Sequence, residues 1–216
     1  MGYFKEGGKL NSGYAEVLKS IGSSDPTPGG GSVAALSLAH AHSLALMVAR
    51  LTVGKEKWAG GHEVAEQVIL DSTDGVNNAL RLAHSDAEAF DSVMSAYRMT
   101  KDTVDDQYAR SLAIREATIG AAKAPLDTAI SALSLLSSLE GLCVSCNPNA
   151  LTDLASAAEL CLSSVKIASF NVKINLDFIE GDDVEYISSQ LNQVILDSKN
   201  SARNINLKVN ERLKWI

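Results

Sequence analysis

The chain has 216 residues, of which 46% are hydrophobic, 21% charged and 5% aromatic, and its formal net charge is −7. This composition excludes a disordered chain, and the length fits one sizeable domain. The acidic balance, with no block of Lys and Arg, argues against a nucleic-acid or membrane-surface protein, although a few local cations would still admit an anionic small molecule.

The same sequence predicts a cytoplasmic protein. The first residues, "MGYFKE", contain no apolar segment of the kind found in signal peptides. There are three cysteines, and an odd number suits a reducing compartment.

The first predicted helix carries one apolar stripe. It is formed by Leu10, Tyr14, Val17, Leu18 and Ile21. After "DPTPGGG" a second helix is predicted from about Ser32 to Thr52. Its apolar part is long enough to span a bilayer at about 1.5 Å per residue, but it contains two histidines, two serines and Arg50. A buried helix of a soluble protein is therefore the better interpretation.

Four further segments have helical periodicity. A helix is predicted over 62–98, and another begins near Asp105, where Pro125 must either kink it or start a new segment. Later helices are predicted over 151–179 and, after the turn "EGDD", from Val184 onward. No alternating strand pattern occurs. The sequence thus predicts a single all-α domain over residues 1–216, a bundle of long, mostly antiparallel helices of a type that often dimerises.

The glycine-rich turn before the second helix is the first candidate site. Gly29, Gly31 and Ala34 match G-x-G-x-x-A, but no strand precedes them, and no P-loop motif is present, which argues against a dinucleotide-binding fold and a P-loop fold. A helix N-terminus has unpaired amides and favours negative charge, and glycines let a flat ligand approach the backbone. The alternative is a tight connector that only lets two helices pack.

Two carboxylates are candidate proton-transfer groups. Asp153 falls in the first turn of a predicted helix, where it either stabilises the helix dipole or acts as a general base whose pKa is raised by apolar surroundings. Asp86 lies in a mostly apolar helix, four residues before Phe90. It is either a solvent-facing residue or a second, partly buried carboxylate.

Amides, histidines and cysteines complete the candidates. Asn171 and Asn175 share a helix face and either bind the edge of a heterocycle or tie two helices together. His40 and His42 lie about 200° apart on a helix and cannot chelate one ion, but His40 is close enough to the glycine turn to remain a candidate. The pair in "CVSC" has no second half, which favours reduced, buried thiols over a metal knuckle.

The order of these motifs carries more information than any one of them. "PTPGGGSVAALSLAHAHSLALMVARLTVGKEKW", "DAEAFDSVMSAY", Arg110, "AKAPLD" and "TDLASAAELCLSSVKIASFNVKINL" occur in this order, and together they resemble the cyclodeaminase family. That family comprises the C-terminal half of formiminotransferase-cyclodeaminase and stand-alone relatives, some of which are methenyltetrahydrofolate cyclohydrolases. The likeness covers roughly residues 9–210.

The resemblance implies an all-helical homodimer that acts on a one-carbon unit bridging N5 and N10 of tetrahydrofolate. It implies Asp153 as the catalytic acid or base and a mid-chain acidic position at Asp86. Asp86 or His40, the latter for its closeness to the glycine turn, is the candidate for a second proton-transfer group. The resemblance also implies the substrate-binding residues Pro28, Gly29, Gly30, Gly31, Ser32, Asn171 and Asn175. For the glutamate tail of such a substrate the sequence offers Lys57, Lys166 or Lys173 and does not choose among them.

The expected reaction is loss of ammonia from 5-formiminotetrahydrofolate to give 5,10-methenyltetrahydrofolate. Hydrolysis of the methenyl compound, or a non-catalytic pterin-binding or scaffold role, is the alternative. No metal or cofactor beyond the folate substrate is expected, because the oxidation state of the carbon does not change. No nucleic-acid or membrane partner is expected either.

Overall fold

Six long α-helices form the described part of the chain. The computed structural model describes residues 12–216, so the predicted core position Leu10 lies outside it. The helices are α1 (Ser12–Ile21), α2 (Gly30–Val53), α3 (His62–Tyr97), α4 (Val104–Ser145), α5 (Leu151–Leu176) and α6 (Asp182–Leu213), with short 3-10 turns at Glu56–Gly61 and Pro148–Ala150. No strand occurs in this part of the chain, as the periodicity predicts.

Helix α2 lies inside the bundle, against α3, α4 and α5. Alanines along α2, α4 and α5 are fully buried, and their small side chains let the helix backbones approach closely. Two hydrogen bonds show that helices α2 and α5 run antiparallel. The Ser164 hydroxyl donates to the carbonyl of Ala34 near the start of α2, and the backbone amide of Asn147, just before α5, donates to the Thr52 hydroxyl at the other end of α2. This pairing decides which residues of α5 can reach the glycine turn.

The apolar character of α2 and α4 is accounted for by this packing. Both helices contain a stretch long and apolar enough to cross a membrane, and 56% and 44% of these stretches are buried inside the fold. A core helix can have the same composition as a membrane span, because both place apolar side chains away from water.

Pro125 lies inside the continuous helix α4 and starts no new segment. Proline has no backbone N–H, so the carbonyl of Ala121, four residues earlier, lacks its usual helical partner. The side-chain amide of Asn175 donates to that carbonyl at 3.0 Å. One of the two predicted amides therefore does tie α4 to α5.

The C-terminal end of α4 is held by α6. The Arg212 guanidinium donates to the carbonyls of Cys143 and Cys146, at 2.7 and 2.6 Å. All three cysteines are free and buried, which confirms the predicted reduced thiols. Burial raises the pKa of Cys143 to about 11, so its thiol stays protonated at neutral pH.

Candidate active site

The glycine turn and Asp86 form one structural unit. Helix α2 begins at Gly30, and Gly31 and Ser32 in its first turn are buried against α3. A Cβ atom on Gly31 would overlap the Asp86 carboxylate, so only glycine allows the two helices to meet here. The hydroxyl of Ser32 lies 3.1 Å from Oδ2 of Asp86 and 3.0 Å from the carbonyl oxygen of Ala83. The turn is thus fitted around a carboxylate.

Two opposing effects act on the proton affinity of Asp86. Burial disfavours the charged form and raises the pKa of the Asp86 carboxyl above its ordinary value. The hydroxyl and the backbone N–H of Ser32 both donate to the carboxylate and lower that pKa, but by less. The result is a carboxyl group that both gives up and takes back a proton closer to neutral pH than an exposed aspartate does.

A cavity of about 370 Å³ opens beside this carboxyl group. Its volume is in the range of small-molecule sites. Helices α2, α3, α4 and α5 and the loop before α2 all contribute to its lining. The lining residues are Pro26, Thr27, Gly29, Gly30, Gly31, Asp86, Phe90, Val93, Ala121, Asn171, Ile174 and Asn175.

The two asparagines face the same cavity from α5. A Cβ on Gly30 would lie 3.3 Å from Nδ2 of Asn171, so the amide sits directly over the glycine backbone. Asn175 uses its amide hydrogens on the carbonyls of Ala121 and Asn171. Neither Oδ1 atom accepts a hydrogen bond from any residue in 12–216. Both oxygens therefore remain available to a ligand with N–H groups.

Asp153 does not join this cavity within one chain. It lies in the first turn of α5, 18 residues before Asn171, which corresponds to about 27 Å along the helix. Because α2 and α5 are antiparallel, Asp153 lies at the end of α2 opposite to the glycine turn. The common cleft of Asp153 and the glycines that the sequence led us to expect is therefore not formed by a single chain, and Asp86 occupies that place.

Of the other candidates, His40 and Lys57 lie outside the cavity, and Pro28 lies beside it. His40 is hydrogen-bonded to the carbonyl of Leu36 and lies 3.2 Å from the hydroxyl of Tyr14, in a separate apolar cleft between α1, α2, α3 and α5. Lys57 packs over the ring of Trp58 beyond the far end of α2. Within one chain neither residue lines the cavity at Asp86. Pro28 belongs to the loop at its rim, next to Gly29, and is partly buried.

Sequence reasoning missed the apolar walls of the cavity. Phe90, Val93 and Ile174 line it, and the sequence analysis assigns no binding role to any of them. Phe90 and Val93 follow Asp86 at i+4 and i+7, so the helical spacing that places them on the same face was visible in the sequence. What was missing was the knowledge that this face turns towards the glycines.

The fold and site therefore define an all-α protein with a partly buried carboxyl group at a glycine-lined cleft. The formiminotransferase-cyclodeaminase family model matches residues 13–194. The chain belongs to this family.

Named relatives agree with this assignment. Methenyltetrahydrofolate cyclohydrolase from Methylorubrum extorquens is 32% identical over 82% of the chain and 84% of its own length. Formimidoyltransferase-cyclodeaminase from Sus scrofa is 29% identical over 86% of the chain, which spans only 34% of that longer protein. The structure of formiminotetrahydrofolate cyclodeaminase from Thermotoga maritima has a TM-score of 0.77 and 26% identity, covering 95% of this chain and 96% of that one.

Proposed function

We propose that the protein interconverts one-carbon derivatives of tetrahydrofolate, and that its main reaction is the elimination of ammonia from 5-formiminotetrahydrofolate. The observation that carries this proposal is the Asp86 carboxyl, with its raised pKa, in a cavity of suitable size beside the glycine turn. The names of the family and of its relatives supply the substrate class.

The reaction needs one group that moves a proton between two nitrogens. N10 attacks the formimino carbon, a tetrahedral centre forms, and the C–N bond to the amine breaks. Asp86 accepts the proton from N10 and returns it to the departing amine, which leaves as ammonia. A carboxyl group with a raised pKa suits both halves of this transfer, because its affinity for protons lies nearer to the working pH.

The remaining residues of the cavity position the pterin. The glycines allow its flat ring to approach the backbone, and the Oδ1 atoms of Asn171 and Asn175 accept hydrogen bonds from ring N–H groups. Holding N10 close to the formimino carbon removes much of the entropic cost of the attack. The carbon keeps its oxidation state, so the proposed reaction involves no redox cofactor.

Hydrolysis of 5,10-methenyltetrahydrofolate is the second candidate function. The relative from M. extorquens bears that name and is close to this chain in length. In this reaction water adds to the methenyl carbon and Asp86 accepts its proton. The bond from that carbon to N5 then breaks, N5 takes up the proton, and the remaining hydroxyl proton is released as the carbonyl of 10-formyltetrahydrofolate forms. The two functions would share one site and differ in the nucleophile and in the leaving nitrogen.

Purified protein given each substrate in turn separates these candidates. Formation of the methenyl chromophore together with free ammonia supports elimination, whereas loss of a supplied chromophore above the spontaneous rate supports hydrolysis. Absence of both activities would contradict the enzymatic proposal and favour a non-catalytic pterin-binding protein.

We also propose that the protein forms a homodimer and that it works in the cytoplasm. Support for the dimer comes from helix α2, where Met47 and Leu51 are 38% and 45% exposed on the most apolar helix of the fold. A second copy packed on this face would remove these side chains from water. Within one chain Asp153 lies far from the glycine turn. A catalytic role for Asp153 would therefore require the dimer to bring it to the glycine turn of the second copy.

A further inference from the structure

A second, polar cavity lies beside the middle of α2, apart from the site at Asp86. Its volume is about 180 Å³, and α2, α3 and α4 all contribute to its lining. His42 lines it from α2 and lies 11 residues after Gly31, which corresponds to about 16.5 Å along the helix. We call it the His42 cavity. It shares no lining residue with the cavity at Asp86.

The imidazole of His42 has a partner for only one of its two nitrogens. His42 is 8% exposed, and its Nδ1 lies 3.1 Å from the hydroxyl of Ser72 on α3. Nε2 forms no hydrogen bond with any residue from 12 to 216. Buried polar atoms in folded proteins nearly always have a partner, so an unpaired ring nitrogen at a cavity indicates a bound molecule.

The hydroxyl of Ser72 decides which nitrogen of His42 carries the proton. Ser72 is fully buried, and within the described residues His42 is the one partner of its hydroxyl. The hydroxyl can use its proton only by donating to Nδ1, which then carries no proton of its own. Burial lowers the pKa of His42 to about 4, so the imidazole is neutral at neutral pH and its single proton lies on Nε2. His42 therefore presents an N–H donor to the cavity.

The ring of His42 fits against a glycine inside α3. A Cβ atom on Gly75 would overlap the imidazole, so only glycine admits the ring at this position. Glycine inside a helix is unfavourable relative to alanine, and a buried imidazole loses its hydration. Two unfavourable choices that fit one another are typical of functional sites, where local rules are broken for a purpose.

Other polar groups of the His42 cavity are also without partners in the fold. The hydroxyls of Ser131 and Ser134 on α4 donate to no residue in the described chain, although many other helical serines donate to the carbonyl four residues earlier. The side-chain amide nitrogen of Asn78 has no acceptor there either. The Asp71 carboxylate forms no ion pair with any residue from 12 to 216.

These groups place one negative charge beside several neutral donors. Asp71 is the one charged group among the described lining residues, since His42 is neutral. The donors are Nε2–H of His42, the amide of Asn78 and the two serine hydroxyls. Asp71 would repel a simple anion, and a simple ammonium ion would leave the donors unpaired. A ligand that carries both an ammonium group and a carboxylate satisfies both sides.

We propose that the His42 cavity binds a small amino acid in its zwitterionic form. The ammonium group pairs with Asp71, and the carboxylate accepts hydrogen bonds from Nε2–H of His42 and the neighbouring amide and hydroxyl groups. The volume of the cavity admits a molecule of this size. The site is separate from the Asp86 cavity, so the inference does not depend on the proposed reaction.

NMR of protein labelled with ¹⁵N at histidine reads the site directly, because His42 is the one buried histidine of the four. In the free protein we expect the neutral tautomer of His42 with its proton on Nε2. Titration with glycine, the smallest amino acid, should shift the His42 resonances and leave those of His62 and His84 unchanged. We expect Kd of about 1 mM, because so small a ligand makes few contacts.

Acetate and methylamine separate the two halves of the zwitterion. Each carries one of the two charges, so each should bind at least about tenfold more weakly than glycine, as the loss of one charge-assisted hydrogen bond predicts. Equal binding of either compound and glycine would overturn the assignment of an amino acid.

Asp71→Asn tests the proposed ammonium contact. Because the carboxylate is exposed, we expect glycine to bind about 3- to 10-fold more weakly, between the effects of an exposed ion pair and of a charge-assisted hydrogen bond. Asp74→Asn, at an exposed acid of the same helix outside the cavity, is the matched control and should bind glycine as the wild type does. Equal affinities in both variants, no response of His42 to glycine, or a proton on Nδ1 would overturn the proposal.

Discussion

The burial and the raised pKa of Asp86 depend on the absence of a Cβ atom at Gly31. Because Gly31 has no Cβ, the carboxylate fits against the first turn of α2 and is removed from part of its water. Ser32 then offsets some of the lost hydration through its hydroxyl and backbone N–H. The role of Asp86 therefore depends on the two residues that follow Gly30.

We predict that Asp86→Asn lowers kcat about 10²- to 10⁴-fold, the usual contribution of a positioned acid or base. Asp91→Asn, on the same helix but exposed and outside the cavity, is the control and should retain activity. Steady-state kinetics with both substrates, on variants whose circular dichroism matches the wild type, provides the measurement. If instead Asp153→Asn abolishes turnover and Asp86→Asn does not, the assignment is wrong.

The same variant should also alter stability in a pH-dependent way. The pKa of Asp86 is raised in the folded protein, so its contribution to stability is fully present below the unfolded pKa and is lost as pH rises through the folded pKa. We expect Asp86→Asn to be more stable than the wild type at neutral pH and to lose this advantage in acid. Urea unfolding at several pH values measures it; equal stability at every pH would contradict the assigned burial effect.

Gly31→Ala tests the close approach itself. The added methyl group would overlap the Asp86 carboxylate, so we expect the carboxyl to move and kcat/KM to fall at least about tenfold, as misplaced catalytic groups usually cause. Gly120→Ala is the matched control, since nothing in the described chain lies within 4 Å of a Cβ there. Activity measured on both variants should separate them, and equal activities would contradict the packing argument.

At the level of the helices, a side chain of α5 supplies the hydrogen bond that a backbone carbonyl of α4 lacks. Pro125 leaves the carbonyl of Ala121 without its helical partner, and Asn175 satisfies it from the neighbouring helix. Asn175 also donates to the carbonyl of Asn171, so its amide is fixed in orientation. A helix defect in α4 thus helps to hold a candidate binding group of α5 in place.

We predict that Asn175→Ala lowers the free energy of unfolding by about 1–3 kcal/mol, because it leaves the Ala121 carbonyl unsatisfied. In a Pro125→Ala background the restored N–H of residue 125 can bond that carbonyl, so the same substitution should cost less. Chemical denaturation of the two single variants and the double variant gives the coupling. Strictly additive effects would show that the carbonyl does not link the two residues.

At the scale of the whole molecule, the outward face of α2 carries exposed apolar side chains beside an apolar cleft. Leu51 and Met47 are exposed near its C-terminal end, and an apolar cleft of about 570 Å³ lies between α1, α2, α3 and α5. These surfaces are adjacent along α2, since His40 and Ser43 line the cleft one to two turns before Met47. Together they form the apolar area that the proposed dimer would cover.

We predict that light scattering gives twice the mass of one chain and that Met47→Lys/Leu51→Lys shifts it towards the monomer. Burying two charged side chains in an apolar interface is unfavourable, so association should weaken by several orders of magnitude. Val104→Lys, at a residue that is 81% exposed at the start of α4, serves as the control for surface charge. A wild type that is monomeric at all concentrations would contradict the proposal.

Local sequence patterns were enough to predict the helices and half of the residues that line the cavity, including its carboxyl and amide groups. Apolar spacing predicted the all-α fold, because a helix must bury one face whatever its neighbours are. The sequence also indicated the glycine turn, Asp86 and the two asparagines, since residue type and helical spacing are enough to suggest their chemistry.

Which of these groups lie close together depends on how the helices pack. Asp86 and Asp153 look alike in the sequence, as acids on apolar helices, and the antiparallel pairing of α2 with α5 takes Asp153 to the far end while α3 brings Asp86 to Gly31. Helix formation depends on residues three and four apart, whereas a site depends on contacts between helices that are distant in the chain. Those contacts follow from packing, which no short stretch of sequence encodes.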